Sequence, residues 1–113
     1  IPFLSIKMVS ALEEENTVLI EKISSDYTKK FCNSIGFGLS KESAMNFSFS
    51  ENKQIFEKRK GFQSINKELL ASKIADSVIY NCGYKLGLSG DEGIKEFMNY
   101  YLSVDKENKK IIN

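Results

Sequence analysis

Apolar residues along the chain recur at spacings of three and four, and glycines punctuate the segments that carry this period. Such a pattern predicts helices rather than strands. The first segment spans about Ala11 to Ile35. Ser10-Ala11-Leu12-Glu13 has the form of a capping box, and a drifting stripe of Leu12, Leu19, Ile20, Ile23, Tyr27, Phe31 and Ile35 follows it. The second begins after Ser40, with Glu42 in its first turn, and ends in Lys58-Arg59-Lys60-Gly61, cations on a C-terminal dipole followed by a glycine. Its alternating Phe47-Ser48-Phe49-Ser50 leaves room for a kink near Ser50. The third has Asn66 as N-cap, with Ile65 positioned to staple onto Leu70, and then Ala71, Ile74, Ala75, Val78 and Cys82 on one face. Gly83 is expected to close it, with Tyr84 folding back on Ile79. The fourth opens on a second capping box, Ser89-Gly90-Asp91-Glu92, and carries Ile94, Phe97, Met98, Tyr101 and Leu102 on one face.

Four such helices joined by short connections predict an all-α fold, an irregular antiparallel bundle. The expected organisation is an apolar N-terminal arm over residues 1–9, one helical domain over 10–104, and a polar, solvated C-terminal tail over 105–113. The only proline is Pro2, so no ring interrupts a helix beyond it. With 113 residues and 42% hydrophobic content, the chain is long enough for one core and too apolar to remain disordered. No apolar run reaches the 18 or so residues of a membrane span.

Charge changes the picture mainly by exclusion. Sixteen basic residues face 15 acidic ones, so a net charge of +1 gives no field selecting nucleic acid or an anionic membrane. The absence of histidine removes His-based acid–base chemistry and His-ligated metals. The spacing of the late glycines, Gly83, Gly87, Gly90 and Gly93, lacks the ending of a phosphate-binding loop and the strand that should precede one. No catalytic, cofactor-binding or metal-binding set is expected. Residue 1 is Ile rather than Met, which reads as a removed presequence or a fragment boundary.

Cys32 and Cys82 form the sharpest constellation. Both fall near the C-terminal ends of odd-numbered helices, which run in the same direction in an up-down-up-down array. A disulfide between them is therefore expected. The obstacle is that first and third helices lie diagonally in a square bundle, whereas a bridge needs Cα atoms within about 7 Å. The alternative is two buried free thiols acting as small apolar residues.

Phe31-Cys32-Asn33-Ser34-Ile35-Gly36, Ser43-Ala44-Met45-Asn46-Phe47, and Cys82-Gly83-Tyr84 with Leu86-Gly87-Leu88-Ser89-Gly90 resemble stretches of small helical proteins of cyanobacteria and plastids. The resemblance covers about residues 27 to 102, and the Lys and Asn bias suits low-GC marine members of that group. In size, architecture and a potential disulfide, the chain is also similar to small extrinsic subunits on the lumenal side of photosystems. The resemblance implies a non-catalytic accessory subunit that stabilises a larger, membrane-associated, photosynthetic complex from the thylakoid lumen or another exported compartment. The expected contacts to that partner are Phe3, Leu4, Ile6, Met8 and Val9 of the arm and Tyr100 of the fourth helix. Two other readings stand beside it. One is a helical protein binding a small apolar ligand or pigment among Phe47, Phe49, Phe56, Phe97 and Met98; the other is a redox protein using Cys32 or Cys82.

Overall fold

The computed structural model describes the backbone of residues 2–112 and the side chains of residues 16–108. Four α-helices account for most of it: α1 over Pro2–Gly36, α2 over Lys41–Phe56, α3 over Lys67–Leu86 and α4 over Gly90–Ile112. A 3-10 turn, Phe62–Ser64, lies between α2 and α3. The fold is all-α, as the periodicity predicts.

Two of the predicted starts are made by the expected side chains. Ser40 Oγ accepts from the Ser43 amide, and Asn66 Oδ1 accepts from the Leu69 amide, each satisfying one orphan donor of a first turn. Other boundaries move. Helix α1 begins at Pro2, well ahead of the Ser10 capping box, because proline at a first helical position loses no hydrogen bond and nothing after it stops the helix. Helix α4 continues past Val104 to Ile112. Helix α2 is continuous through Ser50 and ends at Phe56 rather than at Lys58–Lys60. Gly61, at φ 91°, instead turns the chain into the 3-10 segment.

The end of α3 also differs from expectation. Helix α3 is interrupted at Cys82, whose backbone (φ −143°, ψ 16°) is non-helical one residue before the expected stop at Gly83; a further turn continues to the left-handed Gly87, and Tyr84 is exposed rather than folded onto Ile79. Gly83 is needed for close approach: a Cβ there would lie 2.6 Å from the backbone oxygen of Leu88. The Leu88 amide in turn donates to the Gly83 carbonyl at 3.0 Å.

The helices pack in the cyclic order α1–α2–α4–α3: α1 lies against α2 and α3, and α4 against α3 and, less extensively, α2. The pairings Thr28 with Ser77 and Cys32 with Cys82 show that α1 and α3 run parallel. Helices α1 and α2 are antiparallel, as Tyr27 with Met45 and Ile23 with Asn52 show. Aromatic rings from α1 and α4 meet across the diagonal at the bundle's centre. Tyr27 and Tyr101 have centroids 5.4 Å apart, and Phe31 and Phe97 5.1 Å apart, both edge to face. Every stripe residue of α1 from Leu19 to Phe31 is buried.

Burial has a measurable consequence for the two core tyrosines. Desolvation first, then neighbouring Tyr101 and Tyr100, hold the Tyr27 phenol well above its ordinary pKa; desolvation, then the Asp105 carboxylate, does so for Tyr101. The Tyr27 hydroxyl donates to Met45 Sδ at 2.6 Å, a bond only the protonated form can make. Because both folded-state pKa values lie above the unfolded value of about 10, their contribution is intact below pH ~10 and is lost as pH rises beyond it. Alkaline titration should therefore show these two phenols ionising only as near-ultraviolet circular dichroism collapses. Phenolate absorbance that loses the Tyr27→Phe and Tyr101→Phe components while the protein is still folded would refute the buried placement.

Candidate functional site

Along the α1–α3 seam the Thr28 hydroxyl donates to Ser77 Oγ at 2.7 Å. At its end, Cys32 and Cys82 are joined in a disulfide with Cα atoms 5.8 Å apart and a sequence separation of 50. The diagonal obstacle disappears because α2 and α3, not α1 and α3, occupy opposite corners. Both cysteines are consumed, so among the described residues no thiol is free. An open polar groove of about 580 Å³ runs along the same seam from Glu21 to Asn33, with Ser24, Thr28, Lys73 and Ser77 among its walls.

The disulfide lies at the end of the bundle that gathers the α1–α2 loop, the last turns of α3 and the start of α4. Three aromatic rings are strongly exposed there: Phe37 at 85%, Tyr80 at 88% and Tyr84 at 76% of their full accessibility. Tyr80 and Tyr84 stand one helical turn apart on α3 and, with Ile79, Leu88 and Ile94, edge an open groove of about 390 Å³ between α3 and α4. The Lys85 ammonium lies 5.8 Å from the Tyr84 ring centroid. Large aromatic rings left in water at one covalently fastened end form a surface with the composition of an interface core.

The expected contact residues distribute differently. The side chains of Phe3, Leu4, Ile6, Met8 and Val9 lie outside the described residues. Tyr100 is half-buried: its ring meets Phe97 edge-on at 6.4 Å, and the Lys41 ammonium sits 5.7 Å from its centroid. Partial burial, followed by the Glu42 and Glu107 carboxylates, raises its phenol pKa. Tyr100 thus packs against the core, while Tyr80 and Tyr84 stand out from it. The signal available in sequence was their spacing of four, off the Ile74–Val78–Cys82 face.

Of the five residues of the ligand-binding reading, Phe49, Phe56 and Phe97 belong to one packed core cluster, with Met98 against it and Phe47 outside it. Phe49 borders a partly open cavity at the other end of the bundle, whose walls are partly polar. Among the described residues no group of three or more His, Cys, Asp or Glu is placed to hold a metal ion, and no helix is long and apolar enough to cross a membrane. Compared with family models, with curated proteins and with solved structures, the chain matches none.

Proposed function

We propose that this protein is a non-catalytic accessory subunit that docks on a larger protein complex through the aromatic end of its bundle. The observation that carries the reading is the exposure of Phe37, Tyr80 and Tyr84 at the end fastened by Cys32–Cys82. Exposed tyrosines supply large, amphipathic contact area with few torsions to freeze, and interface energy concentrates in such anchors. A rigid end presents them without further ordering cost. The occupant proposed for the α3–α4 groove is an apolar, protein surface of the host. The disulfide supports an oxidising compartment for the assembly. The resemblance to lumenal subunits makes a photosynthetic membrane complex the first host to test, with the thylakoid lumen as the compartment.

The test is co-sedimentation of the protein with its native membrane complex. Tyr80→Ser with Tyr84→Ser should retain the parent's circular dichroism and melting temperature, since neither ring is buried. Its association should weaken at least tenfold, because truncating anchor residues costs more than about 1.4 kcal/mol. Undiminished association of the double variant would overturn the assignment of this end. Deleting residues 1–9 in parallel shows whether the arm carries the contact in its place.

A further inference from the structure

The bond that fastens the aromatic end presents its two cysteines unequally. Cys32 is half-buried and forms part of the wall of the open α1–α3 groove, beside Lys29, Asn33 and Asn81. Cys82, only 2% exposed, belongs to the buried core. The groove carries the cations Lys29 and Lys73 and the carboxylates Glu21 and Asp76, so neither sign of charge is barred from it. Thiol–disulfide exchange depends on which sulfur an incoming thiolate can reach. In the folded protein that sulfur is Cys32 Sγ, and Cys82 is the leaving group.

The buried cysteine is also the point at which α3 leaves helical geometry before its last turn. Tyr80 lies two residues before that break and Tyr84 two residues after it. Beyond the break, the Leu88 amide on the Gly83 carbonyl closes the turn that leads into α4. Linking Cys82 to α1 therefore fixes the break against the bundle, and with it the placement of one anchor ring relative to the other. We propose that Cys32–Cys82 is a redox-controlled clasp: a dithiol opens it through the groove, the turn carrying Tyr84 loosens, and the docked partner is released. The reductant is of the class that C-x-x-C proteins carry. One of its thiolates bonds to Cys32 Sγ, the Cys32–Cys82 bond breaks, and Cys82 leaves with the electron pair and takes up a proton. The reductant's second sulfur, deprotonated, then displaces Cys32, which is protonated in turn. The reductant ends as a disulfide and the protein as two thiols, having gained two electrons and two protons. Release depends on the aromatic end being the docking surface; the site of attack and the loosening do not.

The test starts from the oxidised full chain, pulsed with glutathione as a monothiol probe, quenched in acid and mapped by peptide mass. The mixed disulfide should sit on Cys32 about tenfold more often than on Cys82. Its rate of formation should not change in urea below the unfolding transition, because the groove is open in the folded protein. After complete reduction by dithiothreitol, backbone order parameters over residues 83–88 should fall from about 0.85 to below about 0.6, while those of α1 from Leu19 to Phe31 stay near 0.85. The reduced protein should also bind its native complex about tenfold more weakly than the oxidised one, and reoxidation should restore binding. A mixed disulfide mainly on Cys82, or a rate that climbs with urea in step with unfolding, overturns the proposal. So does a last turn of α3 as rigid after reduction as before, or a reduced chain whose core loosens along with it, since the bond would then be a structural staple alone. Equal binding of both redox forms, with the Tyr80→Ser, Tyr84→Ser variant still weak, overturns the switch and leaves the docking surface standing. Undiminished binding of that variant removes the docking surface, and the release with it, whatever the chemistry at Cys32.

Discussion

Replacing Cys32 and Cys82 together by alanine is expected to lower the melting temperature by on the order of 15 °C. The bond closes a loop with a sequence separation of 50 residues. In the chain-entropy account, a loop of that length restrains the unfolded ensemble by about 4 kcal/mol. For a domain near this size, each kcal/mol moves the melting temperature by roughly 4 °C. Thermal melts followed by far-ultraviolet circular dichroism give the measurement. Cys82→Ala alone should fall as far as the double variant, because either change breaks the same bond and their effects cannot add. The parent under a dithiol reductant should match both. A double variant melting with the parent would show that the α1–α3 seam is held by its packing and the Thr28–Ser77 hydrogen bond without help from the bridge.

Phe31→Ala is expected to cost about 3–5 kcal/mol, a large part of the 5–15 kcal/mol by which domains are typically stable. Phe31 is fully buried, its ring stacked with Tyr27 at 6.0 Å and edge-on to Phe97 at 5.1 Å. Removing it opens a hole at the point where α1 and α4 meet across the diagonal. Neither neighbour can collapse inward without losing its own partners. Phe37→Ala, six positions along and 85% exposed, should change stability by no more than about 0.5 kcal/mol. Urea unfolding gives both values, with m unchanged if the denatured states are alike. A cost below about 1 kcal/mol for Phe31→Ala would be incompatible with a close-packed aromatic centre. The contrast also separates the two ends of one short segment: Phe31 holds the fold, whereas Phe37 is available to a partner.

Much of this architecture is local and therefore legible in sequence. A capping serine or asparagine acts within three residues of itself, so Ser40 and Asn66 announce their helices whatever surrounds them. The stripe from Leu19 to Phe31 marks the buried face of α1 because a helix returns to the same side every three to four residues. The placement of both cysteines near the C-terminal ends of odd-numbered helices likewise follows from the order of the elements. The starts and stops were less legible where no local group enforces them. Helix α1 runs back through Ser10 to Pro2, since a capping box can be absorbed into a helix when nothing ahead of it breaks the backbone.

What only the tertiary structure decided is which helices are neighbours and what each face meets. A stripe shows that a face is buried, but not against which partner, so the cyclic order α1–α2–α4–α3 was not contained in any one segment. That order makes α1 and α3 adjacent and parallel and brings Cys32 within 5.8 Å of Cys82, Cα to Cα. It also leaves Tyr80 and Tyr84 without a covering helix and pushes Tyr100 against Phe97. The cavity that Phe49 borders needs side chains from α2, the 3-10 turn, α3 and α4, drawn from positions 49 to 105. Local sequence determines the helices because their hydrogen bonds close over four residues; the sites arise where distant faces meet, and long-range packing alone sets those meetings.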